Sequence, residues 1–205
     1  MQTCSLFLGA VAALVAAPVL AAPETFELDP THSSTQFAVK HMVYATVRGG
    51  FGKTAGRLAL DKQDWSKSSV EATIDATTID TRDPKRDGHL KSPDFLDVAQ
   101  YPTITFKSTK VEPAGAGKLK AAGNLTIHGV TKPVVLDIEG PSPEFKDPWG
   151  NQRVGATART KINRKDFGVN WSQNLDTGGA VVSDEVDITI DIEAVKKAAK
   201  VEAKK

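Results

Sequence analysis

Cysteine is nearly absent from this chain: Cys4 is the one cysteine in 205 residues, and it lies inside an apolar leader. Without that leader there is no disulfide, no thiolate nucleophile and no thiolate metal ligand. Net charge is equally scarce, with 26 Lys+Arg against 25 Asp+Glu, which excludes a nucleic-acid binder driven by overall charge. Beyond the leader no apolar run approaches the ~18 residues that suggest a membrane-spanning helix. Aromatics after residue 21 number twelve, too few for the two lipid-facing girdles of an outer-membrane barrel, and the sequence ends in lysines. Enzyme signatures are missing too: there is no G-x-S-x-G elbow, no Walker-type glycine loop and no dinucleotide fingerprint. His32, His41, His89 and His128 show no metal-ligand spacing. No catalytic residue, metal or cofactor is therefore assigned.

What is present begins with the leader. Residues 1–21 hold 16 of the roughly 82 apolar residues and no charged side chain. Leu6 to Leu20 form an apolar core, and Val19-Leu20-Ala21 has the small-residue pattern of a signal-peptidase site. We expect cleavage after Ala21, export, and a bacterial periplasmic location; an uncleaved membrane anchor is the alternative. The remaining 184 residues are only about 36% apolar, low but enough for one core. The expected domain runs over 22–195. Residues 194–205 carry five Lys and one Glu, so 196–205 read as a basic, solvated tail with at most weak contact to an anionic membrane surface.

Period-two patterning dominates the domain. Phe37 and Val39, then Val70, Ala72, Ile74 and Ala76, then Ile104 and Phe106, alternate with polar neighbours, and so do Leu125 and Ile127. Val186, Ile188, Ile190 and Ile192 make the clearest strand of all. Such alternation indicates antiparallel strands with one apolar and one solvated face. Residues 22–205 contain 25 Gly and Pro, the punctuation of short strands and tight turns. His128-Gly129 reads as a hairpin turn with glycine at positive φ. The pattern breaks between Arg82 and Tyr101, where Ser92-Pro93-Asp94 reads as a helix start. Seven or eight strands with one or two short helices inserted around 82–98 suggest an all-β barrel or sandwich. The charged run Arg82 to His89 reads chiefly as mutually neutralising, loop-ordering charge, with His/Asp acid–base chemistry as the alternative. His41 continues the inward phase of Phe37 and Val39. Trp65 and Trp149 read as partial covers over the core, while Phe167, Val169 and Trp171 share one face.

Several stretches taken together resemble the YceI-like family, also called the polyisoprenoid-binding family. They are Leu28-Asp29-Pro30-Thr31-His32-Ser33 with Phe37-Ala38-Val39-Lys40-His41; Val47-Arg48-Gly49-Gly50-Phe51 with Gly56-Arg57-Leu58; and Arg86 to Asp97 with Tyr101 to Ser108. Gly123 to Val134 and Ile162 to Val169 complete the set. Five weak motifs in order cover nearly the whole domain. One departure is Gly88, which separates Asp87 from His89 where the family commonly has the two adjacent.

The resemblance implies a lipocalin-like, eight-stranded antiparallel β-barrel that holds a long isoprenoid or other amphiphilic lipid, and a homodimer is a possible assembly. A barrel of that size is either filled by its own side chains or left open for one ligand. Each buried methylene is worth about 0.8 kcal/mol, so ten supply roughly 8 kcal/mol before ordering costs. The expected apolar lining is Phe37, Val39, Phe51, Ile74, Phe95, Ile104, Phe106, Leu125, Ile127, Phe167 and Trp171. His41, Arg48, Asp87 and His89 are the expected head-group contacts. The resulting expectation is a non-catalytic, periplasmic carrier or store for a polyprenyl, quinone-like or fatty-acid-like lipid. Two alternatives stand beside it: an envelope stress protein with a filled barrel, and a lipid-modifying enzyme using His and Asp at the mouth.

Overall fold

The computed structural model describes residues 22–176 and 178–197. The expected leader, 1–21, and residues 198–205 of the expected tail lie outside the described residues. The chain forms β1 (Glu24–Leu28), β2 (Ser34–His41), β3 (Ala45–Phe51), β4 (Thr54–Leu60), β5 (Ser69–Asp75) and β6 (Ile79–Asp80). One helix, α1 (Pro84–Lys91), follows. Then come β7 (Thr103–Pro113), β8 (Lys118–Ile127), β9 (Val130–Glu139), β10 (Phe145–Lys146), β11 (Gln152–Asn163) and β12 (Val182–Lys196).

Eight of these close into an antiparallel barrel in the order β11-β9-β8-β7-β5-β4-β1-β12, with β12 returning to β11. The closing pair runs unshifted from Arg153↔Val195 to Asn163↔Glu185. On its other edge β12 pairs with β1 through Ala194–Lys196 and with β2 through Val182–Asp191, with a bulge between Val182 and Val186. The β2–β3 hairpin therefore extends the wall beyond the end of β1. Because β12 continues to Lys196, the barrel takes in the first residue of the expected tail.

The local chemistry explains the connections. His128 (φ 50°) and Gly129 (φ 73°) turn the β8–β9 hairpin, both at the positive φ such a tight turn needs. At Gly56 the constraint is space: a Cβ would stand 2.1 Å from the carbonyl oxygen of Glu71 on the paired strand. The helix starts one proline earlier than the sequence suggested. Asp83 accepts the backbone N–H groups of Lys85 and Arg86, and Pro84 takes the first turn, where no N–H is required. Ser92 instead terminates α1, donating from its backbone N–H and its hydroxyl to the carbonyl of His89.

Phe26, Leu28, Leu58, Leu60, Val154 and Ala194 fill one end of the barrel, with Trp65 packed between this cluster and the larger one. Outside that end lies a buried ionic hub. Arg153 donates from Nε to Asp147 (2.7 Å) and from Nη1 to Asp29 (2.8 Å) and Glu193. Asp147 also accepts the backbone N–H groups of Trp149 and Asn151 and the Asn151 side-chain amide. Trp149 contributes its backbone only. Its ring is 81% exposed, so it is not the core cover that its setting suggested.

The hub sets an acid limit. Hydroxyl donation from Thr31, then Arg153 and His32, hold Asp29 well below the usual carboxylate range. Burial pushes Asp147 up, but Arg153 and the Asn151 side chain and backbone outweigh it and leave it well below that range. A carboxyl depressed in the folded state stabilises the fold above its unfolded pKa of about 4, and that contribution fades as pH falls toward the folded value. Melting temperature should accordingly hold down to about pH 5 and fall below about pH 4. Asp147→Asn should lower it at neutral pH and shallow its acid slope, as followed by circular dichroism. Gly56→Ala should destabilise by about 1–3 kcal/mol in denaturant melts, because the added methyl has nowhere to go without moving β5.

Candidate functional site

The inward faces of the strands enclose an apolar cavity of about 360 Å³. Phe37, Val39 and His41 from β2, Phe51 from β3, Ile74 from β5, Ile104 and Phe106 from β7, and Leu125 and Ile127 from β8 all line it. So do His89, Phe95 and Trp171. Twelve of the fifteen residues expected from sequence thus face the same space. The alternation that predicted strands also decided which side chains point inward.

Three do not line it. Arg48 lies between the inward Val47 and Gly49 on β3, so its side chain is exposed on the outer face, where it borders a second, polar groove. Asp87 is engaged by Thr81, whose backbone N–H (2.8 Å) and hydroxyl (2.6 Å) both donate to its Oδ1. It orders the turn into α1 and makes no contact with the cavity. Phe167 is 2% exposed but packs in the core cluster. The strand phase ends at Asn163, whose side chain accepts the N–H of Lys165 to start a short 3-10 turn, Arg164–Phe167, closed by Gly168 at φ 78°. That turn re-aims Phe167 relative to Trp171.

Other lining residues went unrecognised. β12 contributes Val186, Ile188, Ile190 and Ile192, and β11 contributes Ala156, Ala158 and Thr160. The β12 signal was plain in the alternation. The β11 residues are small, and their smallness opposite isoleucines is what leaves volume unfilled. Polar lining comes from Thr35 and Thr54, which share a 2.9 Å hydrogen bond, and from Arg86 and Arg164.

The cap over the cavity is built from α1, the turns after it and the loop that follows β11. His89 meets Phe95 (5.0 Å) and Trp171 (5.4 Å) edge-on, and Phe95 and Trp171 stand 5.3 Å apart. Asp94 Oδ2 lies 2.9 Å from His89 Nε2 and fixes the ring's orientation. The inserted Gly88 sits exposed within α1, and a Cβ there would meet nothing within 4 Å. Arg164 anchors the loop that carries Trp171 into this cap. Its guanidinium donates to the carbonyls of Val169 (2.7 Å), Trp171 (2.7 Å) and Ser183 (3.0 Å) and to Asp184 (3.1 Å). Burial pushes its pKa down while Asp184 opposes the shift.

One group of potential metal ligands occurs among the described residues: donor atoms of Asp29, His32 and Glu193 lie within 4.8 Å of one another. It fits a cation poorly, because Arg153 already donates to both carboxylates and supplies the positive charge there. None of Asp29, His32 and Glu193 is among the residues that line the apolar cavity. The Asp29-Pro30-Thr31-His32-Ser33 motif is structural in this fold. Thr31 and His32 bond the Asp29 carboxylate, and Ser33 exchanges hydrogen bonds with the backbone of Glu193.

Known proteins share this architecture. A UPF0312 protein of Vibrio cholerae is 36% identical over 189 residues, covering 91% of this chain and 95% of that protein. One from Azotobacter vinelandii is 36% identical over 186 residues, covering 91% and 93%. Among solved structures, Burkholderia cenocepacia BcnA superposes with a TM-score of 0.69 at 25% identity, over 81% of this chain and 98% of that one. A Campylobacter jejuni YCEI protein gives 0.65 at 30% identity, over 78% and 90%. A polyisoprenoid binding domain from Saccharophagus degradans gives 0.60 at 16% identity, over 84% and 98%, a likeness of fold. The YceI-like domain family matches residues 26–194, nearly every residue of the barrel from β1 to β12, and the chain belongs to that family.

Proposed function

We propose that this protein binds one long isoprenoid or similar amphiphilic lipid in its barrel, as a periplasmic carrier or store, without chemical turnover. The observation that carries this reading is the 360 Å³ apolar cavity inside a closed barrel, lined almost entirely by apolar side chains. An apolar tail in that space leaves water at about 0.8 kcal/mol per methylene. Hydrophobic burial has no direction, so the walls select for length and girth while rim groups select the head. The Saccharophagus degradans domain of the same fold is described as polyisoprenoid binding, which accords with this chemistry. Export rests on the leader at 1–21. Pairing as a homodimer and weak contact of the lysine tail with a membrane surface are part of the same proposal.

A filled barrel is disfavoured by the small residues Ala156, Ala158 and Thr160, which leave the space open. For an enzyme, the paired His89 and Asp94 are the relevant feature, and their packing against Phe95 and Trp171 accounts for them as parts of the cap.

Protein purified without detergent should release a lipid of this class on organic extraction, identified by mass spectrometry. Ala158→Phe, which puts a ring into the cavity, should cut the recovered lipid at least about tenfold while keeping the β-sheet circular dichroism spectrum. Wild-type protein that carries no lipid, and takes up none when offered, would refute the reading.

A further inference from the structure

Three of the six large apolar side chains exposed among the described residues stand in a row: Met42 (49%), Val43 (55%) and Tyr44 (89%). They form the tip of the β2–β3 hairpin, between the paired residues His41 and Ala45. Turn chemistry does not account for them. Met42 (φ 48°) and Val43 (φ 68°) both hold positive φ, where glycine or asparagine would sit with less strain. The Tyr44 N–H donates to the Met42 carbonyl (2.8 Å) and closes a three-residue turn about Val43. Positive φ at the centre of such a turn is its rare, strained form. A β-branched residue thus occupies the least suitable position while burying little, and strain of that kind points to a use outside the fold.

The tip is braced from behind and adjoins the cavity. The Met42 N–H donates to the Val181 carbonyl (2.9 Å), and a Cβ on Gly179 would stand 3.2 Å from Val43 Cγ2. Its neighbours His41, Val181 and Val182 all line the apolar cavity.

The charge around the tip has one sign. No Asp or Glu occurs between Asp29 and Asp61, a stretch that holds Lys40, Arg48, Lys53 and Arg57. Lys40 and Arg48 share the outer face of the hairpin, and among the described residues neither forms an ion pair. The Lys40 ammonium donates only to the Thr46 hydroxyl (3.1 Å). On the adjoining end of β12 the carboxylates are already matched, Asp184 by Arg164 and Lys165, and Glu185 and Asp187 by Lys161. Asp176 is the one carboxylate on the loop behind the tip.

We propose that this hairpin tip docks the protein on an anionic lipid bilayer, with Met42, Val43 and Tyr44 entering the interface and Lys40 and Arg48 meeting the head groups. This rests on the lipid-binding reading above, because a ligand of that class resides in bilayers rather than in water. Area argues against a second copy of the chain. A stable protein interface buries about 800 Å² on each partner, and three side chains on a narrow turn supply a fraction of that. A bilayer requires no matching surface, and the amphipathic ring of tyrosine suits the head-group level.

The test is sedimentation with vesicles. Mixed phosphatidylglycerol–phosphatidylcholine vesicles should carry the full protein down, and pure phosphatidylcholine should bind it at least about tenfold more weakly. Met42→Asn/Val43→Gly suits the backbone of the turn, so it should keep the β-sheet circular dichroism spectrum while cutting affinity for the mixed vesicles at least about tenfold. Tyr44→Trp should bind at least as tightly as the wild type, with a vesicle-dependent blue shift in emission that misfolding cannot produce. Deleting 198–205 should leave binding in place. Ala158→Phe should sediment as the wild type does, so failed lipid uptake with intact docking would strike the lipid-binding reading and spare the tip. Wild type that stays in the supernatant would overturn the proposal. So would undiminished binding by the double variant, or binding that vanishes with 198–205. A double variant that changes the oligomeric state and not vesicle binding would overturn it too, in favour of a second copy of the chain.

Discussion

The architecture depends on the two-sided pairing of one strand. β12 satisfies β11 along one edge and, along the other, first β2 and then β1. Closure through β1 removes the free edges that an open sheet would present. Extension through β2 carries the wall past the end of β1 and leaves part of β3 without a neighbour. A sealed end and an open side therefore follow from a single strand that is longer than either partner on its second edge.

The two ends use buried arginine in different ways. At the sealed end Arg153 gathers three carboxylates and locks the β1–β2 turn, the loop before β11 and β12 together. At the capped end Arg164 holds mostly carbonyl oxygens, fixing the loop that follows β11. Between them the wall relies on its backbone ladder, because a hollow interior cannot supply the packing of a filled core. A ligand that binds the folded barrel alone would add its binding free energy to that stability.

Much of this was legible in the sequence. Alternation placed the strands, and phase together with side-chain bulk suggested the inward faces. Phe37, Val39, Ile74, Ile104, Phe106, Leu125 and Ile127 followed from that rule, and the family motifs supplied the barrel. What stayed hidden depended on partners distant along the chain. Nothing near Arg153 announces that Asp29 and Glu193 will meet it. Phe167 kept its apparent phase with Trp171 until a 3-10 turn intervened, and Asp87 looked like a head-group ligand until Thr81 claimed its carboxylate. Arg48 is the instructive case: strand parity puts it outside the cavity, on the polar groove beside the sparsely paired edge of β3.

β12 is also the last strand of the barrel in chain order, and its partners β1 and β2 lie near the beginning. The ring therefore cannot shut while the chain is still being delivered from its N-terminus. Until residues 182–196 arrive, the earlier strands can make only hairpins and an open sheet, and sequence-distant closure of this kind is slow. The step that commits the chain to its final shape therefore waits for β12, and any destabilisation of that strand acts on the ring as a whole.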